Sequence, residues 1–301
     1  MDPDLIVNAI KQYGFPIVSS VGMGYFVYFI YSFVTTRLMP IIGETNVILF
    51  ASLILFAFFS IAYANDINNK CPQFVAFGAP VERVATGQHI CKKNYAIHYR
   101  FDTKTAEYVV EHPTKAAITG ASKRKDDFRP DPDIAKPNQS QLADYATAGN
   151  IYDRGHLVPA GNNTQSDVIM SESFFLSNMI PQIANNNRGI WKQIETHVRT
   201  LAVDNDSIYV ISGTIYDAGY TSIGPNKVGV PTRVFKVIID KKNNKAVGFI
   251  FPNKALPVAD LPKYKVTVAT VEKESGINFM PTLPSNLSGI KTIEPTLWDV
   301  K

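Results

Sequence analysis

Two long stretches without a charged residue set the first constraint on this chain. One lies between Lys11 and Arg37, the other between Glu44 and Asp66. Each is about as long as the roughly 20 residues that a helix needs to cross a bilayer. Backbone polar groups in lipid must be satisfied within the segment, so helices are expected over about 14–36 and 46–64. Neither run shows a polar face, which argues against buried helices of a soluble domain. The second run ends Ala62-Tyr63-Ala64, a small-x-small pattern that suits signal-peptide cleavage, although its flank lacks basic residues and Arg37 is the nearest. The chain divides accordingly into membrane segments, 1–64, and a main domain, 65–301. With Lys11 and Arg37 as the only basic residues before Lys70, charge bias points only faintly to an orientation. A hairpin with Arg37 in a cytoplasmic loop would put the main domain outside, either anchored or released into a periplasm or the medium after Ala64.

An exported domain meets an oxidising compartment, and the two cysteines, Cys71 and Cys91, then suggest a disulfide. Closing a loop of that size stabilises a domain by roughly 3 kcal/mol in the chain-entropy view. Two unpaired buried thiols are the competing reading. The spacing offers no Cys-x-x-Cys metal site. The chain carries a formal charge of +4, and the basic excess lies after residue 64. That favours an anionic partner without proving one.

Local patterns predict a mixed domain. Tyr95–Arg100 alternates like a strand and Ala106–Glu111 like its hairpin partner. Ser207–Ser212 reads as another strand. Arg233–Asp240 and Ala246–Phe251 read as a hairpin across Lys241-Lys242-Asn243-Asn244. Val268–Ser275 reads as a helix stopped at Gly276. Ile190, Trp191, Ile194 and Val198 lie at helical spacing within Gln182–Arg199, so that segment is expected as one amphipathic helix. Residues 122–150 are polar and proline-bearing, an ordered surface loop or a long functional one. No regular βαβ alternation is present, so the expected class is α+β.

The chemistry is concentrated in three runs: Asp153-Arg154-Gly155-His156-Leu157-Val158-Pro159-Ala160, then Leu176-Ser177-Asn178-Met179-Ile180-Pro181-Gln182, then Asn187-Arg188-Gly189-Ile190-Trp191 with Glu195. Hydrolysis of a phosphodiester backbone needs a base for water, which a neutral histidine supplies. It needs a divalent cation or arginines to meet the charge developing on phosphate, and the arginine fork matches phosphate oxygens. Mg²⁺ takes oxygen ligands and usually only one or two from protein. His156 fits the base and Arg154, two residues earlier in an extended segment, would point the same way. Asn187 and Glu195 are eight apart, about two turns of one helix. Gly155 is expected to let the backbone bend tightly between Arg154 and His156.

These runs, with Arg124-Lys125-Asp126-Asp127-Phe128-Arg129-Pro130-Asp131 upstream, resemble the DNA/RNA non-specific endonucleases of the ββα-metal (His-Me finger) superfamily, over roughly residues 74–295. The resemblance implies a mixed β-sheet core carrying a ββα-metal motif. It makes His156 the general base, Asn187 the direct Mg²⁺ ligand (Mn²⁺ substituting) and Glu195 the residue that orients water around the cation. Arg154 and Arg124 would contact the scissile phosphate, and Asn178 and Gln182 would support the site. Lys123, Lys125 and Arg129 stand close enough to Arg124 to offer the same charge. Products would carry a 5′-phosphate and a 3′-hydroxyl. DNA and RNA are the expected substrates, the membrane is the expected partner of the N-terminal runs, and an inhibitor protein would be needed by a cell that made the enzyme in its cytoplasm. His89, His98, His112 and His197 are read as structural or merely exposed, and Trp191 as core. The competing readings are an inactive membrane-anchored nucleic-acid-binding module, which the intact set of His156, Asn187 and Glu195 opposes, and a holin-like membrane protein carrying the nuclease domain.

Overall fold

In a computed structural model of the protein, residues 67–82, 86–146 and 151–293 are described. Both apolar N-terminal runs, Ala64 and the 64/65 division lie outside them. Among the described residues no helix is long and apolar enough to cross a membrane.

The domain is α+β, as its patterns predict. Its strands in chain order are β1 (Gly87–Cys91), β2 (Tyr95–Arg100), β3 (Thr105–Glu111), β4 (Tyr152–His156), β5 (Met179–Ile183), β6 (Tyr209–Ile215), β7 (Ser222–Ile223), β8 (Val228–Gly229), β9 (Arg233–Asp240), β10 (Lys245–Pro252) and β11 (Lys265–Val266). Among the described residues, seven strands form one sheet in the order β1-β2-β3-β6-β9-β10-β11, every pairing antiparallel. β4 pairs with β5, and β7 with β8, as separate two-stranded units.

The sheet is covered on both faces, which is why β9 reads as an almost unbroken apolar run. Alternate residues of β9 enter different cores: Val234 and Ile238 join Trp191, Ile194, Val198, Leu157 and Ile180, whereas Phe235, Val237 and Ile239 join Phe74, Val268, Val271 and Phe279. The first layer comes from β4, β5 and helix α1 (Lys192–Asp204), the second from the lead-in to β1 and helix α2 (Val268–Ser275). Helix α2 ends at Gly276 in the left-handed region, φ 74°. A disulfide joins Cys71 to Cys91, with Cα atoms 6.0 Å apart. It pins the lead-in to the end of β1 on the second face, as the even cysteine count suggested.

The two hairpins, β2–β3 and β9–β10, form where predicted. β2–β3 carries a bulge, since His98 opposes Tyr108 while Tyr99 opposes Ala106. The segment Gln182–Arg199 departs from the single helix expected of it. Gln182 belongs to β5, a helical turn starts at Ala184, Asn187–Trp191 forms a wider π turn in which Gly189 leaves helical φ/ψ, and only then does α1 begin. The apolar spacing is real, but strand pairing with β4 captures the front of the segment. The 122–150 stretch is ordered where it is described: Lys92 donates to buried Asp131 (2.6 Å) and to Asp133 (2.7 Å), and Ser177 to Asp131 (2.5 Å).

Candidate active site

β4, β5 and the helical segment that follows build a small unit at one face of the sheet. His156 closes β4 opposite Met179, and Arg154 sits opposite Pro181. Gly155 lies between them in ordinary extended pairing with Ile180 rather than at a bend. Its need is space: a Cβ at this position would lie 2.2 Å from the Gln182 Oε1 atom. The expectation of a tight bend is therefore replaced by close packing of the Gln182 side chain against the paired strand.

The carbonyl end of His156 is tied to the core, because Trp191 Nε1 donates to its backbone oxygen (2.9 Å). Trp191 is fully buried, as its reading as core requires. Asn178 locks the chain that leaves His156. Its Nδ2 donates to the carbonyls of Val158 and Ser173, and its Oδ1 accepts from the Val158 amide, each at 2.9 Å. Gln182 donates to Asn186 Oδ1 (2.8 Å), and Asn186 in turn holds the carbonyls of Pro252 and Lys254. This chain of amides fixes the turn on which Asn187 stands.

His156, Arg154, Arg124, Asn187 and Glu195 line one open cleft of about 680 Å³. The sequence places them in four separate stretches, and the fold brings all five together. Arg124 is distinguished from its neighbours here. Lys125 is bound to Asp167 (2.7 Å), and Arg129 to Asp127 (2.9 Å) while lying over the Phe175 ring. Arg124 also has a carboxylate partner, Asp126 (2.7 Å), but its guanidinium lies over Phe174 at the cleft. Arg154 stacks on Phe128, 4.3 Å from the ring centre. The rings of Phe128 and Phe174 meet the His156 imidazole edge-on, at 5.7 and 5.1 Å.

The electrostatics follow from burial. His156 is 9% exposed and its Nε2 is buried without a hydrogen-bond partner among the described residues. Burial, then the nearby charges of Arg124 and Arg154, push its pKa down to about 3. The imidazole is therefore neutral at physiological pH, the form a base requires. Glu195 is pushed the other way, up to about 7, because burial of its carboxyl outweighs the attraction of Lys236, Arg199 and Arg124. Glu111 is also raised to about 7 by burial, against Lys236 and a hydrogen bond from Asn162 (3.0 Å). Lys236, fully buried, lies between these carboxyls; it donates to Ser212 (2.5 Å) and covers the Trp191 ring at 4.4 Å.

Sequence reasoning passed over Asp153, Lys236 and Arg199. Asp153 accepts from Asn187 Nδ2 (2.9 Å) and from Arg188 through two bonds (2.8 and 2.7 Å). Burial raises its pKa, but those bonds outweigh it and hold the carboxylate below its usual range. Its place beside Arg154 in the motif was the available clue. Lys236 comes from a strand that reads as plain core, so only its isolation as a cation within an apolar run could have marked it.

The comparisons agree with this architecture. The sequence profile of the DNA/RNA non-specific endonuclease family matches residues 75–286. The mitochondrial nuclease EXOG of Xenopus laevis is 34% identical over 72% of this chain and 64% of its own length. Human mitochondrial endonuclease G is 30% identical over 67% of this chain and 72% of its own. A solved complex of EndoG with EndoGI, described as showing the mechanism of EndoG inhibition, superposes with a TM-score of 0.64 at 28% identity, covering 70% of this chain and 91% of that one. The chain thus spans less than two thirds of the frog nuclease. The family profile covers most of the domain and contains every residue of the cleft named above, and the chain belongs to the DNA/RNA non-specific endonuclease family.

Proposed function

We propose that this protein is a metal-dependent endonuclease that hydrolyses phosphodiester bonds of DNA and RNA without sequence preference. The observation that carries the reading is the convergence of His156, Arg154, Arg124, Asn187 and Glu195 on one cleft. In this reading β4, β5 and the following helix are the ββα-metal motif.

The donor set fits a hard divalent cation. Asp153 takes the Nδ2 end of Asn187, which leaves the Oδ1 end to face a cation, and Glu195 supplies a carboxylate beside it. Mg²⁺, with Mn²⁺ as a substitute, would supply charge to neutralise the phosphate during the displacement. Neutral His156 takes the proton from the attacking water through the imidazole that Trp191 and Asn178 hold in place. Arg154 and Arg124 bind the phosphate oxygens and stabilise the added charge. Glu195 orients water by accepting its hydrogen bonds. Asn178 and Gln182 fix backbone rather than touch substrate. Contacts to phosphate carry no base information, so preference among sequences is weak.

The test is digestion of supercoiled plasmid and single-stranded RNA by the full-length chain, with Mg²⁺ and with EDTA, beside His156→Ala. Mg²⁺-dependent cutting of both polymers, lost in the variant, is the expected result. A folded protein that bound but did not cut nucleic acid would favour the binding-module reading instead.

The reading extends to the N-terminal runs, which support a membrane-tethered or exported enzyme with the main domain, 65–301, outside the cytoplasm. Protection of this domain from protease added to intact cells would overturn that placement. An inhibitor protein is the corresponding partner for any copy held in the cytoplasm; the EndoG–EndoGI complex is the motivating likeness.

A further inference from the structure

Outside the cleft, a second cluster of metal-binding side chains crosses the edge of the sheet. His89, His98 and Tyr108 are direct neighbours across β1, β2 and β3, in register. Alternation places them on the face opposite His156: Ile97 and Val109 enter the core beneath Trp191 and Leu157, whereas Ala96, Tyr108 and Val110 enter the other. The rings of His89 and His98 are 4.7 Å apart, those of His98 and Tyr108 5.5 Å. Glu82, from the lead-in, closes over the row, with its Oε1 3.5 Å from His89 Nε2 and 3.9 Å from His98 Nε2.

The bulge in β3 selects the tautomer of neutral His98. It turns Glu107 toward the same face, where its carboxylate lies 2.8 Å from His98 Nδ1. A carboxylate only accepts, so Nδ1 carries the hydrogen and Nε2 is left as a lone pair when the ring is neutral. That Nε2 is fully buried, has no hydrogen-bond partner among the described residues, and faces the oxygen of a second carboxylate. Two acceptors that face each other need a hydrogen or a cation between them. Gly87 keeps the space open, since a Cβ there would lie 2.6 Å from His98 Nε2. Among the described residues Arg100 also comes near, 4.0 Å from Glu107 but engaged with Asp102.

We propose that Glu82, His89 and His98 bind a structural Zn²⁺ ion, with the Tyr108 hydroxyl closing the fourth side. The ligand atoms of Glu82, His89 and His98 all lie within 4.8 Å of one another, and the Tyr108 hydroxyl, which donates to the Pro80 carbonyl, is 3.3 Å from His89 Nε2. A tetrahedral zinc wants them roughly 3.3–3.5 Å apart, so closure needs side-chain shifts on the order of 1 Å. Two imidazole nitrogens and one carboxylate select zinc over the hard cation fitted to the cleft. The carboxylate behind His98 is the orienting partner that zinc-bound histidines usually have. The ion would be charge-balanced by Glu82 and Glu107. It would staple the lead-in to the outer edge of the sheet, where β1 is already held at its other end by the Cys71–Cys91 bond.

The experiment is elemental analysis of the full-length protein purified without chelator, beside His89→Ala, His98→Ala and His156→Ala. Stoichiometric zinc in the wild type and in His156→Ala, lost in the other two, is the expected result. X-ray absorption at the zinc edge of the wild type, showing two imidazoles per metal, stands even if His98→Ala fails to fold. Wild-type protein that carries no zinc and whose melting temperature does not rise with added Zn²⁺ would overturn the proposal. Zinc retained in both His89→Ala and His98→Ala would also overturn it.

Discussion

The two faces of the central sheet solve different problems with the same strands. The cleft face takes charges in: Lys236 covers the Trp191 ring with buried Glu111 and half-buried Glu195 near it, and His156 is held neutral. The far face is a broad apolar layer around Phe74, Phe235, Val271 and Phe279, with polar groups gathered at one edge. Burying charge costs free energy that apolar contact does not. Stability should therefore be carried mainly by the far face and chemistry by the near one.

Substitutions test that division. The largest effect is expected for His156→Ala, which should slow plasmid cleavage by about 10²–10⁴-fold with little change in melting temperature; a large loss of stability with activity retained would reverse the comparison. On the far face, removing the Cys71–Cys91 bond should lower unfolding free energy by roughly 3 kcal/mol in a denaturant titration while leaving the cleavage rate of folded protein unchanged. Gly155→Ala crosses the boundary: crowding against Gln182 should cost about 1–3 kcal/mol and displace His156, so both melting temperature and rate should fall.

The smallest effect concerns pH. The Glu195 and Glu111 carboxyls, raised to about 7, stabilise the fold fully below their ordinary value of 4.5, and that contribution is lost as pH rises through 7. The lowered His156 works in the opposite sense: its contribution is present above 6.5 and lost as pH falls through about 3. Metal-free protein should thus melt a few degrees lower, about 2–5 °C, at pH 8 than at pH 6. Glu195→Gln should flatten that slope, and an unchanged slope would remove the buried carboxyl from the account.

Legibility in the sequence follows the range of the forces involved. The β2–β3 and β9–β10 hairpins and the stop at Gly276 rest on local pattern and turn chemistry, and they form as read. The pairing of β4 with β5 depends on a partner distant in sequence, so periodicity assigned Gln182 to a helix that begins only at Ala184. In the site, residues within the three motif runs were legible because chemistry restricts their types. Asp153 was hidden as a neighbour of more conspicuous residues, and Lys236 arrives through sheet topology alone. His89 and His98, read singly, gave no sign of a shared edge, because their meeting depends on strand register.

The π turn at Asn187–Trp191 has a consequence for how this site tolerates change. Such a turn holds one residue more than an α turn, and each helical residue advances about 100° around the axis. Asn187 and Glu195 are eight apart, and because the wider turn absorbs one residue they end about two α turns from each other, both on the cleft. Point substitutions there leave the phase intact. Deleting Gly189 would remove that extra residue and straighten the helix with the two partners still about two turns apart, whereas deleting one residue of the regular α-helical stretch before Glu195 would swing them apart by about 100°.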